Sequence, residues 1–319
     1  MSAEYMSDPI LKVKGLVRHF GQVKAVDGIS FELERGQVVG FIGANGAGKT
    51  TTMRLLTTLD LPDSGEVEYD GIDAIQYPEK VKSRIGWMPD GFDPVDGTTV
   101  QDYVDFFARA YGLTGQQRVE EVARVLEFCG ITELKNRYIN KLSKGQTQRL
   151  SLARMLIGNP DFLVMDEPAA GLDPQARLEF KQLVRSLREK GKTMLISSHI
   201  LSELAEMCDS LILMSQGRII HRGTCEELEA LQQQEGITYT IRPLTDCVQG
   251  VHAWLQAQKG WKNAVIMPDN SISAVCLLPD NAAVARSIQE LCREHLVLEV
   301  TRYRRNLEET FVNILHNQR

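Results

Sequence analysis

The sequence predicts an α/β protein with a second, smaller α+β domain at its C-terminal end. Three observations carry that reading. Apolar, strand-like runs alternate with helical patterns from Ile10 to about Leu228, as they do in α/β folds. The run Val38-Val39-Gly40-Phe41-Ile42 leads directly into GANGAGKTT at residues 43–51, then into a helical pattern through Met53, Leu55 and Leu56. From Ile237 onward the strand and helix signals come in the order β-α-β-β-α-β.

Each element is read from local pattern. Ile10 to Glu34 alternates apolar and polar residues and reads as antiparallel strands with a turn near Gly21. Phe162 to Met165, Thr193 to Ser197 and Leu211 to Met214 are short, wholly apolar or nearly apolar runs. Strands of that kind are covered on both faces, as in a parallel sheet. Thr99 to Gly112 and Gln116 to Phe128 have helical spacing, and with the helix after Gly145 they predict a mainly helical insertion over residues 96–158. Gln175 to Lys190 reads as a further helix. At Leu228 to Glu235 the composition turns polar. The expected organisation is therefore a tail at 1–9, a main domain at 10–228, a linker at 229–236 and an α+β domain at 237–319. That last domain closes with a helix from Asn306 to His316.

A chain of 319 residues can build about two domains. Thirty-six Lys and Arg stand against 42 Asp and Glu, a net charge of −6. Broad nucleic-acid binding needs a basic face, so no nucleic-acid partner is expected. The six cysteines form no C-x-x-C pair and are read as reduced residues. No apolar stretch approaches the ~20 residues needed to cross a bilayer. Met1 to Pro9 is polar and carries acids, unlike a secretory signal. The expectation is a protein of the cytoplasm that reaches a membrane only through a partner.

The chemistry begins at residues 43–51. Glycines let backbone N–H groups turn around phosphate oxygens where a side chain would clash. The next helix points its unpaired N–H donors at the same anion. Lys49 adds a full positive charge for terminal phosphates, and the Thr50 hydroxyl can ligate Mg²⁺. A glycine-rich turn with a chance lysine is the alternative, but strand, glycines, Lys-Thr and helix all agree. Downstream, Phe162 to Met165 ends in Asp166-Glu167. An acid at such a strand end is placed to hold Mg²⁺. The next one is placed to orient or deprotonate a water.

Leu142-Ser143-Lys144-Gly145-Gln146 opens a helical run and is the second decisive feature. Together these motifs resemble the ATP-binding subunit of ABC transporters over about Ile10 to Gly223, with six motifs in the family's order. The resemblance implies a P-loop ABC cassette: a mixed core sheet, an antiparallel N-terminal subdomain and a helical subdomain. It assigns Gly43, Asn45, Gly46, Ala47, Gly48, Lys49, Thr50 and Thr51 to the Walker A loop. Phe162 to Glu167 is similar to Walker B, with Glu167 as the catalytic glutamate. Ser143, Gly145 and Gln146 belong to the signature that completes the ATP site of an opposing subunit. Ala170 to Asp173 looks like the D-loop, His199 like the catalytic switch histidine, and Phe20 like the aromatic that stacks on adenine. Asp90 stands at the Q-loop position, where the family usually has Gln and sometimes Glu. Thr50, Asp166 and Asp90 are the implied Mg²⁺ ligands.

The resemblance further implies an ATPase that powers a transmembrane permease in the export direction. It would use ATP and Mg²⁺, work as a homodimer with two composite sites, and sit at the cytoplasmic side of the cell membrane. The segment from Asp93 to Gly112 would pass motion to the permease. Asp90 cannot donate a hydrogen bond when ionised. It therefore suggests an alternative, a nucleotide-gated module with little turnover, which intact Glu167 and His199 oppose. Lys144 stands where the family's commonest signature has Gly. A role on ribosomes or DNA would call for a second cassette, long coiled coils or zinc modules, and the chain has none of these. The C-terminal domain resembles a small extension on many ABC exporter ATPases, down to the closing motif Asn306 to Phe311. Dimer support, regulation and simple packing are all open to it.

Overall fold

The computed structural model describes residues 9–91, 96–224, 227 and 237–302. The chain divides into two compact units between Thr224 and Cys225. The tail at 1–8, the linker at 229–236, the start of the segment at Asp93 and the helix Asn306–His316 with its motif lie outside the described residues.

The first unit is built on two sheets. β1 (Leu11–Phe20) and β2 (Val23–Leu33) form the expected antiparallel hairpin around Gly21. β4 (Ser64–Tyr69) and β5 (Ile72–Asp73) extend that sheet in the order β2-β1-β4-β5. The central sheet comprises β3 (Val38–Ile42), β6 (Ile85–Met88), β7 (Phe162–Met165), β8 (Thr193–Ser198), β9 (Ser210–Ser215) and β10 (Arg218–Gly223). Its order is β10-β9-β3-β8-β7-β6, parallel except for the antiparallel β9–β10 hairpin. Every residue of β3, β7 and β8 is buried, which explains their unbroken apolar runs.

Between the two sheets lies a continuous core. It includes Leu11, Phe31, Phe41, Met53, Tyr69, Phe162, Val164 and Leu195. α1 (Lys49–Leu56) leaves β3 through the glycine loop, and α2 (Pro78–Val81) precedes β6. The helical region holds α3 (Val100–Ala110), α4 (Gly115–Phe128) and α5 (Lys144–Leu156). Thr99 and Asp102 form a reciprocal capping box at α3, and Ser143 and Gln146 form one at α5. Arg154 of α5 donates to the Trp87 carbonyl at 2.9 Å, tying this region to β6. α6 (Pro174–Glu189) and α7 (Leu201–Ala205) flank β8. Mixed sheet, antiparallel subdomain and helical region all match the expected cassette.

The second unit has β11 (Ile237–Pro243), α8 (Val248–Ala257), β12 (Trp261–Ile266), β13 (Ile272–Cys276), α9 (Asn281–Glu294) and β14 (Val297–Arg302). Its sheet is antiparallel throughout, in the order β12-β13-β11-β14. Tyr239, Ile241, Trp254, Trp261, Ile272 and Leu291 form its core. Among the described residues, no helix is long and apolar enough to cross a membrane.

Candidate active site

The chain leaves β3 at Ile42 and turns through residues 43–48 into α1. Two of the glycines in this loop are sterically required. A Cβ on Gly48 would stand 2.0 Å from the Ala25 carbonyl oxygen, and the residue holds φ at 105°, where side chains are strained. A Cβ on Gly43 would meet the Met214 carbonyl oxygen at 2.5 Å. The β9–β10 turn supports the loop from behind, since Gly217 donates its N–H to the Ala47 carbonyl at 2.9 Å.

Loop, strand ends and hairpin together enclose a cleft of about 380 Å³. Phe20, Asn45, Gly46, Ala47, Gly48, Lys49, Thr50, Thr51, Asp90, Asp166 and Glu167 all line it. Phe20 sits at the rim, half exposed, with the Arg18 guanidinium 4.8 Å from its ring centre. Asp63 holds that arginine at 2.8 Å and accepts from the His19 N–H at 2.6 Å.

The cleft floor is a charge network. Lys49 is buried; its Nζ donates to the Gly43 carbonyl at 2.6 Å and lies 3.3 Å from Glu167 Oε1. Thr50 Oγ1 donates to Asp166 Oδ2 at 2.7 Å. Ser197, at the end of β8, donates its hydroxyl to Asp166 Oδ1 at 2.6 Å and accepts from the Glu167 N–H at 2.8 Å. Glu167 itself has φ at 48°, a left-handed conformation that a non-glycine residue holds only when its surroundings impose it. That twist turns its carboxylate between two basic groups: Lys49 on Oε1 and His199 Nδ1 on Oε2 at 2.8 Å. Burial, then the charges of Asp166 and Glu167, push the Asp90 carboxyl above its usual range.

Ser143, Gly145, Gln146 and Asp173 do not line this cleft. Ser143 and Gln146 cap α5. A Cβ on Gly145 would lie 2.9 Å from Ala176 Cβ, so Gly145 lets α5 approach α6. Asp173 caps α6 by accepting from the Ala176 N–H at 2.8 Å. Gly43 contributes its carbonyl to Lys49. Sequence reasoning missed Ser197, whose signal was the hydroxyl pair Ser197-Ser198 closing an apolar run just before His199.

Among the described residues no group of three His, Cys, Asp or Glu could hold a metal alone. The oxygen donors Thr50, Asp166 and Asp90 nevertheless suit Mg²⁺, which takes one or two carboxylates together with substrate phosphates.

The segment from residue 26 to 170 matches a family model described as ABC transporter. NatA of Bacillus subtilis, an ABC transporter ATP-binding protein, is 36% identical over 230 residues, covering 72% of this chain and 93% of NatA. The chain belongs to the ABC transporter ATP-binding proteins. Nod factor export ATP-binding protein I of Ralstonia nicotianae is 40% identical over 223 residues, which is 70% of this chain and 69% of that protein. YxlF, an uncharacterized ABC transporter ATP-binding protein of Bacillus subtilis, is 30% identical across 96% of this chain and 100% of its own length. The likeness to it therefore runs through the second unit. Among solved structures, a nucleotide-free ATP-binding cassette from an ABC transporter superposes at TM-score 0.65 with 29% identity, covering 71% of this chain and 96% of that one. CbiO1 of Clostridium perfringens, part of the ABC transporter complex cbiONQ, gives 0.64 and 29% over 71% of this chain and 93% of that one. The ABC cassette is thus an ATP-binding ATPase subunit. Asp173 and His199 lie beyond the segment that the family model matches.

Proposed function

We propose that this cassette hydrolyses ATP to power export through a membrane permease, as a dimer of two identical chains. The observation that carries the reading is Glu167. It stands at the cleft wall in a strained conformation, with Lys49 against one carboxylate oxygen and His199 against the other. In this reading the loop N–H groups and Lys49 bind the β- and γ-phosphates, and Phe20 stacks on adenine. Thr50, Asp166 and Asp90 would hold Mg²⁺, which supplies charge neutralisation at the phosphates. Glu167 orients the attacking water and takes its proton, and His199 fixes the Glu167 carboxylate. In-line attack at the γ-phosphorus then releases phosphate and ADP.

Ser143, Gly145, Gln146 and Asp173 stand outside the cleft of their own chain, which supports their service to an opposing one. A helix N-terminus such as that of α5 favours an anion, and a two-fold pair makes two such sites. An apolar groove of about 270 Å³ is lined by Leu59, Trp87, Phe107 and Tyr111, with Lys82 and Arg154 at its edge. Leu59 and Tyr111 are exposed there, as is nearby Phe106. This supports docking of a short permease segment that is apolar with acidic residues. The cassette would then lie at the cytoplasmic membrane face through that partner, with no nucleic acid involved, in line with its net charge of −6. The name of the Nod factor export relative supports the export direction.

The test is Glu167→Gln. Turnover is expected to fall about a hundredfold or more while ATP binding persists, the signature of a lost catalytic group. Wild-type protein that binds ATP but releases no phosphate, with or without its permease, would instead support the low-turnover module that Asp90 suggests.

A further inference from the structure

Two serines end β8 and point to opposite sides of the sheet. Ser197 serves the cleft. Ser198 donates its hydroxyl to Glu203 Oε2 at 3.1 Å and accepts from the Ile200 N–H at 3.0 Å. The loop that carries His199 is therefore pinned from its far side. Glu203 lies on α7, directly after that loop, and is only 5% exposed. A carboxylate that deep requires a counter-charge. Arg177, in the first turn of α6, supplies it with Nε 3.1 Å from Glu203 Oε1. The same guanidinium donates to the Leu172 carbonyl at 3.4 Å. Leu172 adjoins Asp173, which caps α6. One arginine thus holds the turn before α6 and the helix after His199.

The ion pair is close but poorly aimed. Neither Arg177 Nε nor Glu203 Oε1 completes a hydrogen bond. A buried carboxylate oxygen without one is unfavourable, so a small shift that aims Nε at Oε1 is downhill.

We propose that Arg177, Glu203 and Ser198 are positioning residues that make the setting of His199 depend on the Asp173 turn. The inference rests on the proposed roles of Asp173 at a subunit interface and His199 beside Glu167. An opposing chain that engages Asp173 shifts the first turn of α6. Arg177 passes the shift to Glu203, and Ser198 passes it to the His199 loop. None of the three touches nucleotide; each acts through the histidine.

Two measurements on the full chain test this. The first follows the ring NMR signals of His199, assigned with His199→Asn, in protein without nucleotide. Asp173→Ala and Glu203→Gln are each expected to move them, and the double variant to move them no further than the larger single change. Additive shifts, or His199 signals indifferent to Asp173→Ala, overturn the relay. This readout needs no turnover, so it decides the relay even where Glu167→Gln has disproved hydrolysis. The second is steady-state hydrolysis: Glu203→Gln, which keeps its shape, should lower kcat about tenfold with KM for ATP within about twofold. A loss that falls on KM instead overturns the proposal. If Glu203→Gln fails to fold, Arg177→Lys takes its place. It keeps the charge but lacks the fork that reaches Leu172, so His199 should stop responding to Asp173→Ala; a retained response overturns the relay.

Discussion

Ser197→Ala is the perturbation that the site geometry makes most informative. It removes one oxygen and two hydrogen bonds. The bond to Asp166 Oδ1, at 2.6 Å, serves a carboxylate that is only 2% exposed. Hydrogen bonds to charged groups contribute about 1.5–3 kcal/mol. The second bond, from the Glu167 N–H at 2.8 Å, helps to hold φ at 48°. Its loss leaves a donor unpaired but also lets strain relax, so it adds at most about 1 kcal/mol. The sum is a destabilisation of about 2–4 kcal/mol, or roughly 4–16 °C in Tm for a unit of this size. Calorimetry of wild-type and variant protein measures it, and ATP turnover in the same samples should fall because the Glu167 carboxylate loses its fixed direction. A variant within about 1 °C of wild type and with full turnover would refute the claim that Ser197 anchors both acids.

Phe20→Ala should weaken ATP binding about 5- to 150-fold, from a stacking contribution of ~1–3 kcal/mol, while Phe20→Trp retains it; titration with a fluorescent ATP analogue measures both. For Asp90, the raised pKa means that the folded chain holds a proton that the unfolded chain has already released, so stability falls as pH rises through that interval. Asp90→Asn should therefore melt higher than wild type at neutral pH, with the gain closing below about pH 4. Burial pushes the Cys129 thiol up to about 12, so maleimide at pH 8 should label exposed Cys292 and spare Cys129 in the folded protein, as peptide mapping will show.

Much of the first unit was legible because its signals are local. Periodicity reveals β3, β7 and β8, since strands covered on both faces must be apolar throughout. The S-x-x-Q spacing of Ser143 and Gln146 is itself a helix start. β4 and β5 escaped notice for the opposite reason. Ser64–Tyr69 is short, and its first three residues are exposed, so it shows no clean alternation. The alternation of β12, Trp261–Ile266, is broken because Asn263 takes φ at 52° and the register shifts between Lys262 and Val265. The site divides along the same line. Residues 43–51 act through a loop contiguous in sequence, whereas the grip of Ser197 on Asp166 and Glu167 depends on two strand ends 31 and 30 residues apart.

The charge balance of the cleft turns on Asp90, which lines it beside Asp166 and Glu167. Three carboxylates, Asp90, Asp166 and Glu167, share its wall with one buried ammonium, Lys49. A triphosphate brought into that field meets more negative than positive charge, and at short range in a part-buried site such repulsion is strong. The loop N–H groups and the α1 dipole offset some of it. A neutral glutamine at position 90 would leave the balance nearer even. Under the proposed function, Asp90 would make binding of the nucleotide depend more heavily on Mg²⁺, with Thr50 and Asp166 as the groups that would receive it. Ser197 is what holds Asp166 ready: its bond occupies one carboxylate oxygen and leaves the other facing Thr50.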